Sequence, residues 1–298
     1  MPDAQTDTFE KHRDRLQALA YRMLGRVQAA EDMVQDAYLR WRSADPDTVD
    51  DPAAYLTTIV TRLCLDELDA AHHERDSYTG PWLPEPVVEP MDRPDRTTEQ
   101  SDAVSFAVLV LLERLPPRQR AVFVLREVLD TPYARIADIV DESEAYCRKL
   151  AQRARAQIDA ADAESNVSAT AQADLVEQFV TAIQNEDAET VAQTLAKDAI
   201  VTSDGGGKVT AARRPVETRE HITRFLLGVA DQAPEALTPH LVRVNGRPGL
   251  LATVDGTPQS VWFFHVRHGR IQNAYAVLNP DKLRHLDVSR LVSSPDAG

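Results

Sequence analysis

The sequence predicts a multidomain chain: two all-α domains, the second carrying a helix-turn-helix, followed by an α+β cone. Three observations carry that expectation. Apolar residues recur at helical spacing through residues 9–75 and again through 115–158. From about residue 199 the pattern changes to short alternating runs separated by glycine turns. Two segments without periodicity, one rich in proline and one in Ala, Asp and Ser, lie between these blocks. A length of 298 residues suits about two domains with ample buried core.

In the first block Leu16, Leu19, Ala20, Met23 and Val27 form one stripe, broken near Gly25. The next helix, AAEDMVQDAYLRWR, has two faces. Val34, Ala37, Tyr38 and Trp41 point one way, and Asp32, Gln35, Asp36 and Leu39 the other. Leu39 on a polar face reads either as a stray exposed leucine, which is ordinary, or as part of a partner-binding surface. After an acidic loop from Ser43 to Asp51, Pro52 opens a helix with Leu56, Ile59, Val60 and Leu63 inward. Its outer face carries Tyr55, Thr58 and Arg62. An aromatic beside a hydroxyl and an arginine can hold a displaced single-stranded base; a solvated helix face is the plainer reading.

Residues 76–100 include DSYTGPWLPEPVVEPMDRPDR, which is dense in proline, aperiodic and net negative, so a linker or extended segment is expected. Trp82 and Leu83 are expected to dock, because a flexible spacer rarely carries a tryptophan.

The second block is organised around LPPRQRAVFVLREVLDTPYARIADIVDESEAYCRKLAQRARAQI. Pro116 and Pro117 open a helix on which Ala121, Val122, Leu125, Val128 and Leu129 recur. Thr131 then acts as N-cap, with Pro132 at the first position of a helix of about two turns whose apolar face is Tyr133, Ile136, Ala137 and Val140. A tight break at Asp141 and Glu142 follows, and Ser143 caps a third helix. Its Cys147, Leu150, Ala151, Ala154 and Ile158 face inward while Arg148, Lys149, Arg153 and Arg155 face outward. A short helix, a tight turn and a cationic second helix can enter a major groove. An ordinary helical hairpin with a charged face shares the same pattern.

Beyond Ile158, DAADAESNVSATAQ reads as a second linker. Helical patterns at Leu175–Asn185 and Glu189–Ala196 give way to AIVTSDGGGKVTAARR, a strand, a glycine turn and a strand. A helix over Glu217–Asp231 precedes LVRVNGRPGLLATV and SVWFFHVRHGRIQNAYAVLNP, which read as three or four antiparallel strands. Trp262 and Phe264 alternate with Val261, Phe263 and His265, so both faces of that strand are covered. Asp204 could serve as an acid or base beside an apolar cavity lined by Trp262. Asp-Gly-Gly-Gly is equally what a tight turn with positive φ requires. His221, His240, His265 and His268 show neither metal nor dyad spacing.

Composition narrows the classes. Hydrophobic content is 43%, no apolar run approaches the roughly 18 residues of a membrane span, and the polar acidic start has no h-region. A cytoplasmic protein is expected. Cys64 and Cys147 each fall on an apolar helix face, so buried thiols rather than a disulfide or metal pair are expected. A net charge of -14 argues against promiscuous nucleic-acid binding. Residues 143–158 are the exception, with four basic residues against Glu144. That balance suits a protein that binds DNA strongly only when carried by a larger cationic partner.

Taken together, AEDMVQDAYLRW, DPAAYLTTIVTRLCLDEL and LPPRQRAVFVLREV with the helix-turn-helix resemble regions two and four of an extracytoplasmic-function RNA polymerase sigma factor, over roughly residues 9–160. GPWLPEP, DGGGK at Asp204–Lys208 and NPDKL at Asn279–Leu283 resemble the sigma-J type subgroup, in which a SnoaL-like domain follows region four. The resemblance implies a region-two domain over 1–75, a linker over 76–100, a region-four domain over 101–163, a short linker over 164–171 and a SnoaL-like regulatory domain over 172–290.

It further implies core RNA polymerase and promoter DNA as partners, with no cofactor, metal or catalytic residue and no separate anti-sigma protein. Asp32, Gln35, Asp36 and Leu39 would bind the polymerase clamp. The segment Thr48 to Arg62, with Tyr55, Thr58 and Arg62, would capture the melted element near minus ten. Ser143, Tyr146, Arg148, Lys149, Gln152, Arg153 and Arg155 would meet the minus-thirty-five element. Regulation would run through Trp82, Leu83, Pro84, Glu85 and Pro86 of the linker, Asp204, Gly205, Gly206, Gly207 and Lys208, and Asn279, Pro280, Asp281 and Lys282. Glu67 and Asp69 stand where such factors tend to place basic residues, which implies weaker phosphate neutralisation there. A one-component regulator with a small-molecule-sensing cone stands as the alternative; it would bind duplex DNA by itself, usually as a symmetric dimer.

Overall fold

A computed structural model of the chain describes residues 4–45, 48–71, 78–91, 105–162 and 167–292, with backbone alone at 4 and 159–162. Residues 76–77 and 92–100 of the expected first linker, 164–166 of the second, and Pro46 and Asp47 of the acidic loop lie outside the described residues. Two compact units emerge: Met1–Asp76 with Val108–Ala161, and Ser77–Ala107 with Asp162–Gly298.

The first unit is helical. α1 (Ala4–Leu24), α2 (Val27–Ser43) and α3 (Pro52–Ala70) bury Leu16, Leu19, Met23, Val34, Trp41, Leu56 and Val60 against one another. Gly25, at φ 66°, separates α1 from α2. Asp51 caps α3 by accepting from the Ala54 amide at 3.0 Å, and Pro52 occupies the first turn. Trp41 donates its indole N–H to the Gln5 carbonyl at 2.8 Å, which satisfies its polar edge inside the core.

α4 (Phe106–Glu113) leads to α5 (Pro117–Phe123), which continues as a π-helical turn over Val124–Val128. α6 (Tyr133–Val140) and α7 (Glu144–Asp162) complete the helix-turn-helix. The start of α6 differs from expectation: Pro132, extended at φ -61° and ψ 143°, holds the N-cap position in place of Thr131. The Thr131 amide is instead drawn back to the Leu125 carbonyl by the π turn, at 2.9 Å. Asp141 takes the left-handed conformation (φ 56°, ψ 53°) that the turn requires. Ser143 caps α7 through its hydroxyl to the Tyr146 amide at 3.2 Å.

The second unit is an α+β cone. α8 (Ala169–Gln184), α9 (Ala188–Thr194) and α10 (Arg219–Asp231) cover one face of a seven-stranded sheet of order β1-β4-β5-β6-β7-β2-β3. Its strands are β1 (Val88–Pro90), β2 (Leu195–Asp204), β3 (Val216–Glu217), β4 (Leu237–Val244), β5 (Arg247–Val254), β6 (Thr257–Arg267) and β7 (Arg270–Val277). Val176, Phe179, Val191, Ile222, Leu226 and Phe264 form the core beneath the helices. On the other face Phe106 packs against Phe263 and Tyr275, with ring centroids 5.5 and 6.1 Å apart.

Three expectations change here. The sheet is not wholly antiparallel, because β2 runs parallel to β7, with Val201 opposite Ala274; alternation in a strand carries no information about the direction of its neighbour. Residues 208–215 do not form the second strand of a hairpin. The Ser203 hydroxyl takes the Ala212 amide at 3.0 Å, and only Val216–Glu217 pair with β2. Part of the expected linker is itself a strand, β1, added to the β4 edge with Val88 opposite Val244.

Candidate functional site

On α2, Asp32, Gln35, Asp36 and Leu39 share one solvent face, and the Leu39 side chain is 58% exposed. Among the described residues none encloses the Leu39 side chain. The outer face of α3 is less free than the sequence suggests. Tyr55 lies against Trp41 at 5.9 Å, and the Thr58 hydroxyl donates to the Ala54 carbonyl at 2.8 Å. Arg62 donates to the carbonyls of Ile139 and Asp138 at 3.2 and 2.9 Å, capping the C-terminal turn of α6.

A reciprocal contact runs the other way. Arg120 of α5, 1% exposed, donates to the Met23 carbonyl at the end of α1 at 2.6 Å and pairs with Glu113 at 3.1 Å. Glu67 pairs with Arg26, so its charge is compensated within the unit, while Asp69 is exposed.

On α7, Cys147, Leu150, Ala151, Ala154 and Ile158 are buried, and Tyr146, Arg148, Lys149, Gln152, Arg153 and Arg155 are exposed, as the spacing requires. Arg148 pairs with Glu144 one turn back, and Arg155 pairs with Glu127. Burial pushes the Cys147 thiol up, with Glu142 and Glu144 adding to it, and Cys64 is raised by burial and Glu67; neither is a thiolate.

The regulatory candidates converge in the second unit. Asp204, fully buried at the end of β2, accepts from the Tyr78 hydroxyl and the Gly206 amide (3.1 Å) on one oxygen. Its other oxygen accepts from the Leu83 amide (2.8 Å) and the Lys282 ammonium (2.8 Å). Four donors match the four acceptor positions of a carboxylate. Lys282 also donates to the Leu83 carbonyl and lies 3.4 Å from the Trp82 ring centroid. The two motifs cross-pair, because Lys208 meets Asp281 while Asp204 meets Lys282. The hydrogen bond from Lys208, with Arg284 nearby, holds the Asp281 carboxyl below the usual range.

Asn279, buried, donates to the Tyr78 hydroxyl at 2.9 Å and accepts from the Asp281 amide at 3.1 Å. Gly206 is required by this geometry: at φ +59°, a Cβ would stand 2.3 Å from the Asn279 amide nitrogen. Pro84 and Pro86 are buried, Glu85 is half-buried, and Gly207, Lys208 and Pro280 are exposed. Gly205 is buried close against the Val209 carbonyl.

Residues 8–73 match the family model for sigma-70 region 2, and residues 105–158 that for sigma-70 region 4. The ECF RNA polymerase sigma factor SigJ of Mycobacterium tuberculosis H37Rv is 39% identical over 291 residues, which cover 93% of both chains. The chain is an extracytoplasmic-function sigma factor. A probable sigma factor SigI of the same species is 29% identical over 299 residues, covering 94% of this chain and 95% of its own. The crystal structure of SigJ superposes with a TM-score of 0.76 at 36% identity, covering 93% of this chain and 98% of its own.

As a sigma factor the chain binds core RNA polymerase and directs it to promoters to start transcription. Its region-two and region-four domains are the helical blocks of the first unit, and the α+β domain of the second unit follows them in the chain. Among the described residues no helix is long and apolar enough to cross a membrane, and no cluster of three or more His, Cys, Asp and Glu could hold a metal ion.

Sequence reasoning passed over Tyr78, although it sits in the same proline-rich run as Trp82. It also passed over Asn245, which exchanges hydrogen bonds with Val87 at 2.8 and 3.1 Å, and His285, which donates to the Pro86 carbonyl at 2.9 Å. The usable signal for Tyr78 was an aromatic in a segment otherwise suited to disorder.

Proposed function

We propose that this sigma factor is governed in cis by its SnoaL-like domain, which grips the segment 78–90 and so sets the path of the chain between its two promoter-reading domains. The observation that carries this reading is Asp204, whose lone pairs are spent on two linker donors, its own turn and the tail lysine. A carboxylate so occupied has no capacity left as a general base, which supports a domain that binds the linker rather than one that catalyses. With the tail in that role no separate anti-sigma protein is needed, and the chain works in the cytoplasm beside polymerase.

In this reading the domains divide as 1–75, 101–163 and 172–290, with the segment between the first two tied to the last. Asp32, Gln35, Asp36 and Leu39 meet the polymerase clamp; their shared exposed face supports this. Tyr55, Thr58 and Arg62 take the melted element near minus ten, and the exposed face of α7 takes the minus-thirty-five element. Those elements lie about 25 base pairs apart, or about 85 Å along the duplex at 3.4 Å per step. The Arg62 contact with α6 therefore opens on the promoter and frees its guanidinium.

Run-off transcription with core polymerase tests the scheme, comparing the full chain with truncations after Ala163 and just before Asn279. The second removes Asn279 and Lys282 while sparing all seven strands. Defined initiation whose yield changes on truncation is the expected result. Equal yields from all three chains would remove regulation by the tail. Absence of initiation on every template, with duplex DNA retarded by the protein alone, would favour a one-component regulator.

A further inference from the structure

The exposed cations of α7 are not equivalent. Lys149 and Arg153 are exposed and take part in no hydrogen bond or ion pair described within the fold. Arg148 is held on two sides. It pairs with Glu144 one turn earlier, and its guanidinium carbon lies 5.3 Å from the ring centroid of Tyr133, the first residue of α6. The same ring carries the guanidinium of Arg126 at 5.2 Å. Arg126 in turn pairs with Asp130 at 3.0 Å and donates to the Thr131 carbonyl at 3.3 Å.

The array Asp130, Arg126, Tyr133, Arg148, Glu144 thus ties together the π turn, α6 and α7. Two cations are tolerated on one ring because each has its own carboxylate and both guanidiniums lie within the roughly 6 Å range of a cation–π contact. Most such side chains on a helix surface stay mobile because fixing them costs rotamer entropy. Here part of that cost is met before DNA arrives, while Arg148 keeps 56% of its side chain exposed.

Pre-organisation matters most for a contact whose geometry must be exact in two directions. Bidentate recognition of guanine by arginine is such a contact, and a phosphate contact is not. Arg148 lies in the second turn of α7, and the N-terminal residues of a recognition helix are those that reach base edges. We propose that Arg148 reads a guanine edge in the minus-thirty-five element and that Tyr133 is the residue that positions it, whereas Lys149 and Arg153 neutralise phosphates. This rests on the reading of α7 as the minus-thirty-five helix.

The test uses holoenzyme, core polymerase with the full chain, on templates randomised through the minus-thirty-five element, with sequencing of the transcribed templates and yields across a salt series. Arg148→Lys keeps the charge but loses the fork. It should abolish the preference for guanine at one position, a loss of about five- to hundredfold in discrimination, with the salt slope unchanged. Tyr133→Leu should weaken the same preference about two- to fivefold, and Tyr133→Phe should restore it. Lys149→Ala and Arg153→Ala should lower yield on all templates alike and reduce the salt slope by about one each.

The proposal is overturned if Arg148→Lys leaves the base profile intact, if the unsubstituted holoenzyme shows no guanine preference, or if Tyr133→Leu flattens every position equally. Should Tyr133→Leu fail to fold by circular dichroism, Arg148→Lys and Tyr133→Phe still decide the matter. If no α7 substitution alters profile or yield, the failure belongs to the reading of the helix itself.

Discussion

Replacing Lys282 with Met should loosen the junction between linker and tail more than any surface change could. Lys282 is 4% exposed and its ammonium sits 2.8 Å from a fully buried carboxylate. Removing one partner of a buried pair costs about 3–5 kcal/mol, because the other charge is left uncompensated. Asp204 would keep three donors, from Tyr78, Leu83 and Gly206, which puts the loss near the lower end, about 3 kcal/mol. At about 2–4 °C per kcal/mol for a domain of 150–250 residues, the melting transition should fall by about 6–12 °C.

Scanning calorimetry of the full chain reads that shift, and limited proteolysis across residues 78–91 reads release of the linker. The double variant Asp204→Asn with Lys282→Met removes both charges, so its loss should fall short of the sum of the single losses by about 0.5–3 kcal/mol. A single-variant shift below about 2 °C, or strict additivity in the double variant, would refute the claim that this pair holds the linker.

Burial, with the Asp204 hydrogen bond next, raises the Tyr78 phenol above its ordinary value near 10. An acid raised on folding keeps its stabilising contribution below the unfolded value and loses it as pH climbs beyond, so stability of the second unit should decline above about pH 10; Tyr78→Phe should blunt that decline in calorimetry across an alkaline series. Gly206→Ala should displace Asn279 from Tyr78 and speed cleavage of the linker by protease, since the new Cβ would stand 2.3 Å from the asparagine nitrogen; an unchanged cleavage rate would count against the arrangement. Leu39→Ala should change stability by no more than about 0.5 kcal/mol, yet weaken binding to core polymerase in a pull-down titration. Arg62→Ala should destabilise the first unit by about 1–2 kcal/mol through loss of two charged hydrogen bonds, read by urea unfolding; no change would mean the contact with α6 is not made in solution.

The helices of the first unit were legible because period and punctuation agreed. Gly25, Pro52, Pro117 and Ser143 mark the boundaries that the structure adopts, and the exposed faces of α2 and α7 followed from the same spacing. The start of α6 was misplaced by one residue because the π turn before it, after which the Thr131 amide returns to the Leu125 carbonyl, has no signature in local composition. Strand β3 and the parallel pairing of β2 with β7 escaped for a related reason: a strand shows which residues alternate, not which neighbour they meet.

What the sequence by itself determined is the order of domains, the inward faces of their helices and the three short motifs around Trp82, Asp204 and Asn279. These depend on side-chain type at fixed local spacing, which a chain carries wherever it folds. Only the tertiary structure decided that a proline-rich segment becomes the edge strand β1, that Asp204 and Lys282 pair across 78 residues, and that Arg62 and Arg120 cap each other's neighbouring helices. Each of those depends on a polar group meeting a partner far along the chain, and which distant groups meet is a property of the assembled fold.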